Sequence, residues 1–301
     1  MLNRSIQTTV VLLMTVLLAA AAVTVYVAVP AEEPTEDMQT EETAGNDSII
    51  AAGLEGKQEV LATVLGDSIA KGYSGDEGVT IEPYSSLVMK RMSEEYGFRY
   101  EISNYARNGL DSRGMNTKVL TDEQVRASLG RADIIFITIG SNDLLNECKS
   151  AVQDILNTET RYKSAGEALE VLKESAKENP FLIFSIIGAL EQWNYRTFES
   201  NWLEMMDTVC LLKKDDARIV VTNIYNPVAN LNIPPTMDNG VENVIGNMNQ
   251  IIDNHTQEYG YQVADLFRSE VCDHVQSDGL HPDQDGQQLI ADLICGEKLH
   301  F

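Results

Sequence analysis

The sequence predicts an α/β fold in which a sheet of parallel strands has helices on both faces. Short apolar runs typical of buried strands alternate along the chain with segments whose apolar residues recur at helical spacing. Alternation of strand and helix implies parallel strands joined by crossover connections. Polar and glycine-containing turns follow the strand candidates, which places potential functional residues at one edge of the sheet.

Five segments have the length and apolar content of buried strands. They are residues 60–65, 100–104, 133–139, 218–225 and 261–267. The helix signals between them are an apolar stripe over 84–92 that ends at Gly97, capping boxes at Thr121/Gln124 and Ser164/Glu167, and apolar faces within 198–209 and 244–255. We interpret Trp202 as a packing residue of one such face. The apolar run 181–190 has no clear period, so helix and strand both remain open there.

The amino-terminal region predicts export. Residues 10–29 form an uncharged apolar run of about the length of a bilayer-spanning helix, with Arg4 before it and Glu32 and Glu33 after it. Retention as a membrane anchor is favoured, although small residues around Ala31 also fit cleavage of a signal peptide and secretion. Residues 31–57 are too acidic and too poor in large apolar side chains to fold. We therefore expect a signal or anchor segment over 1–30, a disordered acidic spacer over 31–57 and a folded domain over 58–301.

The charge balance excludes nucleic acid as a partner. The chain of 301 residues has 46 Asp and Glu against 22 Lys and Arg, a formal net charge of -24, and such a chain repels polyanions. The cysteines are too few and too widely spaced for a disulfide scaffold, which leaves one or two bridges open; they are Cys148, Cys210, Cys272 and Cys295. Metal-binding spacings of Cys and His are absent, so we expect no metal and no cofactor.

The residues that follow the strand candidates predict acyl-group chemistry. Ser68 follows the first strand, and a serine hydroxyl becomes nucleophilic when an adjacent base removes its proton. His281 is the candidate base, and Asp278, three residues earlier, is placed to orient it. The backbone N–H groups of Ser68 and Gly109 and the side-chain amide of Asn142 are candidate oxyanion donors.

Each of these residues also has a structural interpretation. Ser68 fits a helix N-cap, Asn142 fits a turn, and Asp278 with His281 fits a pair of metal ligands. We assign supporting roles to Asp67 and Asp143. His255 and His274 receive no functional role.

Four short motifs in a fixed order resemble the sequence blocks of the SGNH or GDSL hydrolase family. They are Gly66-Asp67-Ser68, Asn104 through Gly109, Gly140-Ser141-Asn142-Asp143 and Asp278-Gly279-Leu280-His281-Pro282. The resemblance extends over residues 60–296, with Ile69 where the family usually has Leu. It implies a flavodoxin-like three-layer α/β/α sandwich with a five-stranded parallel sheet. It also implies an ester hydrolase with Ser68 as nucleophile, Asp278 and His281 as its partners, and Ser68, Gly109 and Asn142 as oxyanion hole.

The resulting expectation is a serine esterase that faces outside the cytoplasm and acts on carbohydrate or lipid esters, with acetylated carbohydrate favoured. The sequence leaves three alternatives open: a lipase or lysophospholipase, an O-acyltransferase, and a catalytically silent glycan-binding module.

Overall fold

The computed structural model describes Leu54 and residues 56–179, 181–226 and 235–296. The predicted membrane segment over 1–30 and most of the predicted spacer over 31–57 lie outside these residues. Within the described ranges, no helix is both long enough and apolar enough to cross a bilayer.

Five parallel strands form one sheet in the order β2-β1-β3-β4-β5. The strands are β1 Glu59–Gly66, β2 Arg99–Asn104, β3 Ile134–Thr138, β4 Arg218–Thr222 and β5 Tyr261–Ala264. The chain turns to one side of β1 to form β2 and to the other side to form β3. This reversal creates a crevice at the carboxyl ends of β1 and β3, the place where open α/β sheets of this order bind ligands.

Helices connect and cover the strands. In chain order they are α1 Ser68–Lys71, α2 Tyr84–Tyr96, α3 Ser112–Gly114, α4 Glu123–Leu129, α5 Ser141–Ile155, α6 Ala165–Glu178, α7 Leu182–Glu191, α8 Tyr195–Leu212, α9 Pro235–Asn254, α10 Thr256–Tyr259 and α11 Gln284–Cys295. A π-helical turn, Met115–Val119, continues α3, and a 3-10 turn, Glu270–Asp273, follows β5.

The sheet separates two apolar cores, as expected when both faces of a parallel sheet are covered. Ile134 and Phe136 of β3 pack with α2 and α11 on one face, whereas Ile135 and Ile137 pack with α4, α5, α8 and α9 on the other. Trp202 of α8 is fully buried in the second core, which confirms its predicted packing role. The predicted three-layer α/β/α fold with a five-stranded parallel sheet is thereby confirmed.

The local predictions that differ from the structure lie at element ends. Strand β4 stops at Thr222 because the next residue, Asn223, uses its side-chain oxygen to accept bonds from the N–H groups of Leu266 and Phe267 beyond β5. The predicted Thr121/Gln124 capping box is wrong by one residue. Asp122 is the N-cap of α4 and accepts from the Gln124 N–H. The Ser164/Glu167 cap is confirmed.

The ambiguous apolar run 181–190 forms a helix, α7. None of the four cysteines is joined in a disulfide.

Candidate active site

Close packing of two strand ends positions the first site residue. The Cβ that any larger residue would add at Gly66 would lie 2.5 Å from the backbone oxygen of Thr138 in β3, so this close approach requires glycine. The Asp67 N–H donates to the same oxygen at 3.1 Å. Strand β1 is therefore held against β3 at the point where the chain enters α1.

Ser68 is the first residue of α1, and its hydroxyl does not cap this helix. Asp67 is the N-cap, because its Oδ1 accepts from the Ile69 N–H at 2.9 Å. The Ser68 Oγ instead lies 2.9 Å from Nε2 of His281. The N-cap interpretation of Ser68 is therefore wrong, and the hydroxyl faces a potential base.

Asp278 orients His281 from within the same turn. Its Oδ2 lies 2.6 Å from Nδ1 of His281, while its Oδ1 accepts from the N–H groups of Leu280 and His281. Burial acts to raise the pKa of the Asp278 carboxyl, but the hydrogen bonds from His281 and Leu280 together hold that pKa below its ordinary value. The Tyr73 ring packs against the imidazole with ring centroids 4.6 Å apart.

Gln276 fixes the loop that carries Asp278 and His281, a role that no sequence pattern indicated. Its side-chain nitrogen donates to the backbone oxygens of Tyr73 and Pro282, both at 2.8 Å, and its side-chain oxygen accepts from Gly75. Its own N–H donates to the His281 oxygen. The buried amide therefore joins the loop to the segment that follows α1.

Three donors surround the space in front of Ser68. The backbone N–H groups of Ser68 and Gly109 have no acceptor within the part of the chain that the structure describes. Gly109 has φ 71°, and open space adjoins its Cα where a side chain would project. Asn142, at the start of α5, directs its side-chain nitrogen towards Asp67 Oδ2 at 3.4 Å, a long contact that leaves the amide able to reorient.

Two carboxyl groups lie behind these donors. Burial raises the pKa of Asp67 to about 7; the Ile69 N–H acts against this shift, and the charge of Asp143 adds to it. Burial also raises the pKa of Asp143 to about 6, against the hydrogen bonds that it accepts from the hydroxyl and N–H of Ser112. Both aspartates therefore brace backbone and side chains beside the site, as predicted.

The candidate site opens into a cavity of about 270 Å³, which we call the Ser68 cavity. It is lined by Asp67, Ser68, Ile69, Tyr73, Asn108, Gly109, Ser141, Asn142, Leu145, Lys149, Lys163, Ser164, Tyr225, Leu280 and His281. The structure thus brings together the residues predicted from four separate strand ends. Asp278 supports His281 from behind the cavity wall.

His255 and His274 lie outside the lining of the Ser68 cavity. His255 contacts Glu258 through Nδ1 at 2.9 Å. His274, for which the sequence suggested no partner, lies with Asp283 and Asp285 so that one potential ligand atom from each falls within 4.8 Å of the others. Asp283 Oδ1 already accepts from the Gly286 N–H as the N-cap of α11. Asp278 and His281 do not belong to this cluster.

The family follows from a comparison with known proteins. Residues 63–294 match the model of the GDSL-like Lipase/Acylhydrolase family, which is most of the chain. The chain belongs to this family. The resemblance to SGNH or GDSL hydrolases that the four motifs indicated is therefore confirmed.

Several known proteins are similar to this GDSL-like chain over most of its length. It is 23% identical over 245 residues to the uncharacterized protein YpmR of Bacillus subtilis (strain 168), covering 79% of this chain and 81% of the relative. The lipase Lip_vut3 from a goat rumen metagenome aligns with a TM-score of 0.54 and 16% identity, covering 78% of this chain and 95% of its own. An extracellular lipase from Streptomyces rimosus aligns with a TM-score of 0.52 and 15% identity. This match covers 78% of this chain and 97% of the lipase. At these identities, the structural matches establish the fold.

Proposed function

We propose that this GDSL-family protein is a serine hydrolase of carboxylic esters that works through an acyl-enzyme. The observation that carries the proposal is the hydrogen-bonded chain from Ser68 Oγ to His281 Nε2 and from His281 Nδ1 to Asp278, with contacts of 2.9 and 2.6 Å. A nucleophile in contact with a base that is itself oriented by a carboxylate is the arrangement that nucleophilic acyl transfer needs.

The proposed reaction has two steps. His281 Nε2 takes the hydroxyl proton as Ser68 Oγ attacks the carbonyl carbon, and the carbonyl oxygen becomes an anion facing the donors of Ser68, Gly109 and Asn142. Collapse of this intermediate breaks the ester C–O bond, and His281 gives the proton to the leaving alcohol. Water then attacks the acyl-enzyme by the same route, which releases the acid and restores the Ser68 hydroxyl.

The dimensions of the Ser68 cavity favour small esters. A volume of about 270 Å³ lies just below the usual range for ligand pockets, roughly 300–1,000 Å³. The apolar side chains of Ile69 and Leu280 adjoin the two reacting residues and offer a short acyl group a place to pack. We propose a short-chain ester as substrate, with esters of carbohydrates or small lipids outside the cytoplasm as the physiological class. The external location rests on the apolar run 10–29 alone.

The direct test is hydrolysis of p-nitrophenyl esters, from acetate to palmitate, by the full chain and by Ser68→Ala. We expect activity that is greatest on short chains and that falls by about 10³-fold or more in the variant, because removal of the nucleophile leaves only the oxyanion donors and substrate binding. A fluorophosphonate probe should label the wild type and leave the variant unlabelled.

A matched variant guards against misfolding. Ser150→Ala removes an exposed hydroxyl on α5 whose bond goes to the Asn146 backbone, and it should retain wild-type rates. Equal rates for the wild type and Ser68→Ala on every ester, with no labelling of either, would contradict the proposal and would favour a glycan-binding role.

A further inference from the structure

Two lysines lie on the wall of the Ser68 cavity in a strongly acidic chain. Lys149 comes from α5 and Lys163 from the segment before α6. The chain has 46 acidic against 22 basic residues, so cations grouped at one cavity are unusual for its composition. The carboxylate that also lines this cavity, Asp67, is only 1% exposed.

Neither lysine forms an ion pair with the described residues, whereas Lys57 and Lys214 both contact Asp133. Paired lysines such as these brace the fold. An unpaired lysine at a cavity wall keeps its charge available to a ligand, and low-dielectric walls strengthen its field.

Two helix starts add positive potential to the same wall. Ser141 and Asn142 open the 15-residue helix α5, and Ser164 caps the 14-residue helix α6. The unsatisfied N–H groups at a helix start have the effect of a partial positive charge. These dipoles have the same sign as the lysines, and each is opposed by one acidic residue in the first turn of its helix, Asp143 in α5 and Glu167 in α6.

The placement of Lys149 indicates which part of a substrate it meets. Lys149 follows Asn142 by seven residues on α5, which corresponds to roughly 10 Å along a helix. Ile69 and Leu280, in contrast, adjoin the reacting residues and suit the acyl group. Lys149 therefore lies farther along α5 than Asn142, the proposed donor to the carbonyl oxygen, on the part of the cavity wall that is left for the alcohol.

We propose that the alcohol part of the substrate carries a negatively charged group, phosphate above all, which Lys149 and Lys163 bind. This inference rests on the proposed esterase function and specifies its substrate class. An ammonium acts as a point charge and accepts a phosphate without a fixed planar geometry, in contrast to arginine. Hydrolysis then leaves the charge on the released alcohol.

The test compares three butyryl esters that differ in the charge of the alcohol: 1-butyrylglycerol 3-phosphate, 1-butyrylglycerol and butyrylcholine. We expect kcat/KM of the full chain to decrease in that order at low salt. In Lys149→Gln/Lys163→Gln the ratio of the phosphate ester to the neutral ester should fall by about 10-fold or more, as loss of a close charge pair predicts. Sodium chloride at about 0.5 M should reduce the wild-type ratio through screening.

Matched variants test whether the positive charge of Lys149 and Lys163, rather than another property of these side chains, sets the ratio. Lys149→Arg/Lys163→Arg should keep the ratio, and Lys173→Gln, which removes an exposed lysine of α6 that pairs with Glu170, should leave it unchanged. Because the readout is a ratio, partial unfolding lowers both rates and leaves the ratio intact. A wild type that hydrolyses the neutral and phosphate esters equally, or a double Gln variant with the wild-type ratio, would overturn the inference while leaving the esterase function standing.

The phosphate has two possible sources, which a fourth ester separates. A higher kcat/KM for 1-palmitoylglycerol 3-phosphate than for the butyryl ester would assign the anion to a lipid headgroup. The opposite order would assign it to a soluble phosphate ester. No hydrolysis of any ester would instead contradict the proposed function itself.

Discussion

Gln276 shows how a residue outside the candidate chemistry determines where the base lies. It is 6% exposed, and its side chain makes three hydrogen bonds to backbone groups of Tyr73, Gly75 and Pro282. Those contacts join the His281 loop to the segment after α1, so they set the distance between His281 and Ser68. A shift of about 1 Å at such a site is enough to cost about 100-fold in rate.

Replacement of the Gln276 side-chain amide should lower kcat much more than it changes KM. In Gln276→Leu, the backbone groups that it satisfied lose their partners, which costs about 1–3 kcal/mol for each buried group. We expect a lower melting temperature and kcat reduced by about 10–100-fold with KM nearly unchanged. Thermal unfolding and ester hydrolysis measure the two effects.

Asn249→Leu provides the matched control. Asn249 is 4% exposed and bonds the N–H and C=O of Ile224 from α9, so it reaches the His281 loop only indirectly, through the neighbouring Tyr225, whose hydroxyl donates to the Leu280 oxygen. It should lose comparable stability and retain most of its kcat when folded. Equal loss of kcat in the two folded variants would refute a positioning role for Gln276.

The sequence indicated which candidate site residues would lie together, but it did not indicate the residues that support them. Ser68, Gly109, Asn142 and His281 follow strands of one parallel sheet, so their convergence was predictable from strand order alone. Gln276 was missed because its partners are backbone atoms, two of them about 200 positions away, which carry no side-chain pattern.

At the scale of elements, the starts of α1 and α5 place two buried carboxyl groups side by side. Asp67 caps α1, and Asp143 lies in the first turn of α5, where it braces Ser112. Burial raises the pKa of Asp67 to about 7 and that of Asp143 to about 6, from an ordinary value of 3.8. The start of each helix therefore contains a carboxyl group whose protonation changes near neutral pH.

These pKa values predict that stability declines as pH rises from about 4, near the ordinary pKa of these groups, to about 7. A carboxyl whose pKa is higher in the folded state stabilises the fold while protonated, and this contribution disappears as pH passes about 6 for Asp143 and about 7 for Asp67. The pKa values of Asp278 and Asp133 are lowered from 3.8, so protonation of these two groups affects stability only at lower pH. Each pKa unit corresponds to about 1.4 kcal/mol, so urea unfolding at several pH values resolves the effect.

Asp67→Asn should flatten this pH dependence. Asparagine keeps an oxygen for the Ile69 N–H and remains uncharged at every pH. Asp122→Asn, at the exposed N-cap of α4, should reproduce the wild-type slope. A slope that Asp67→Asn leaves unaltered would show that the buried aspartate does not titrate in this range.

Element ends were less predictable than element cores. The apolar pattern located all five strands, whereas Thr121 and Asp122 are adjacent residues that both suit an N-cap. The structure selects Asp122 because the preceding π-helical turn engages Thr121, whose hydroxyl donates to the Thr117 oxygen.

The whole molecule carries a net charge of -24, which is large for its size. Like charges repel more strongly in the compact state than in the expanded unfolded chain, so this excess lowers stability. The alternation of strands and helices nevertheless fixed the fold class, because burial of apolar residues rather than surface charge decides the architecture.

Salt should therefore stabilise the protein at neutral pH. Raising sodium chloride from about 20 mM to about 500 mM shortens the screening length from roughly 20 Å to roughly 4 Å, which should raise the melting temperature by a few degrees. At about pH 4, where many Asp and Glu side chains are protonated, the same series should have little effect. A melting temperature that falls with salt at neutral pH would mean that attractive ion pairs outweigh the repulsion.

The closing of the His281 loop has a consequence for biosynthesis. Ser68 and His281 are 213 positions apart, and the loop is closed by a bridge between Val275 and Pro282, shortly before α11. A nascent chain that has emerged only as far as β5 holds a complete parallel sheet and the Ser68 hydroxyl, but it lacks the imidazole. The proposed nucleophile is therefore paired with its proposed base only after the segment from β5 to Pro282 has left the ribosome.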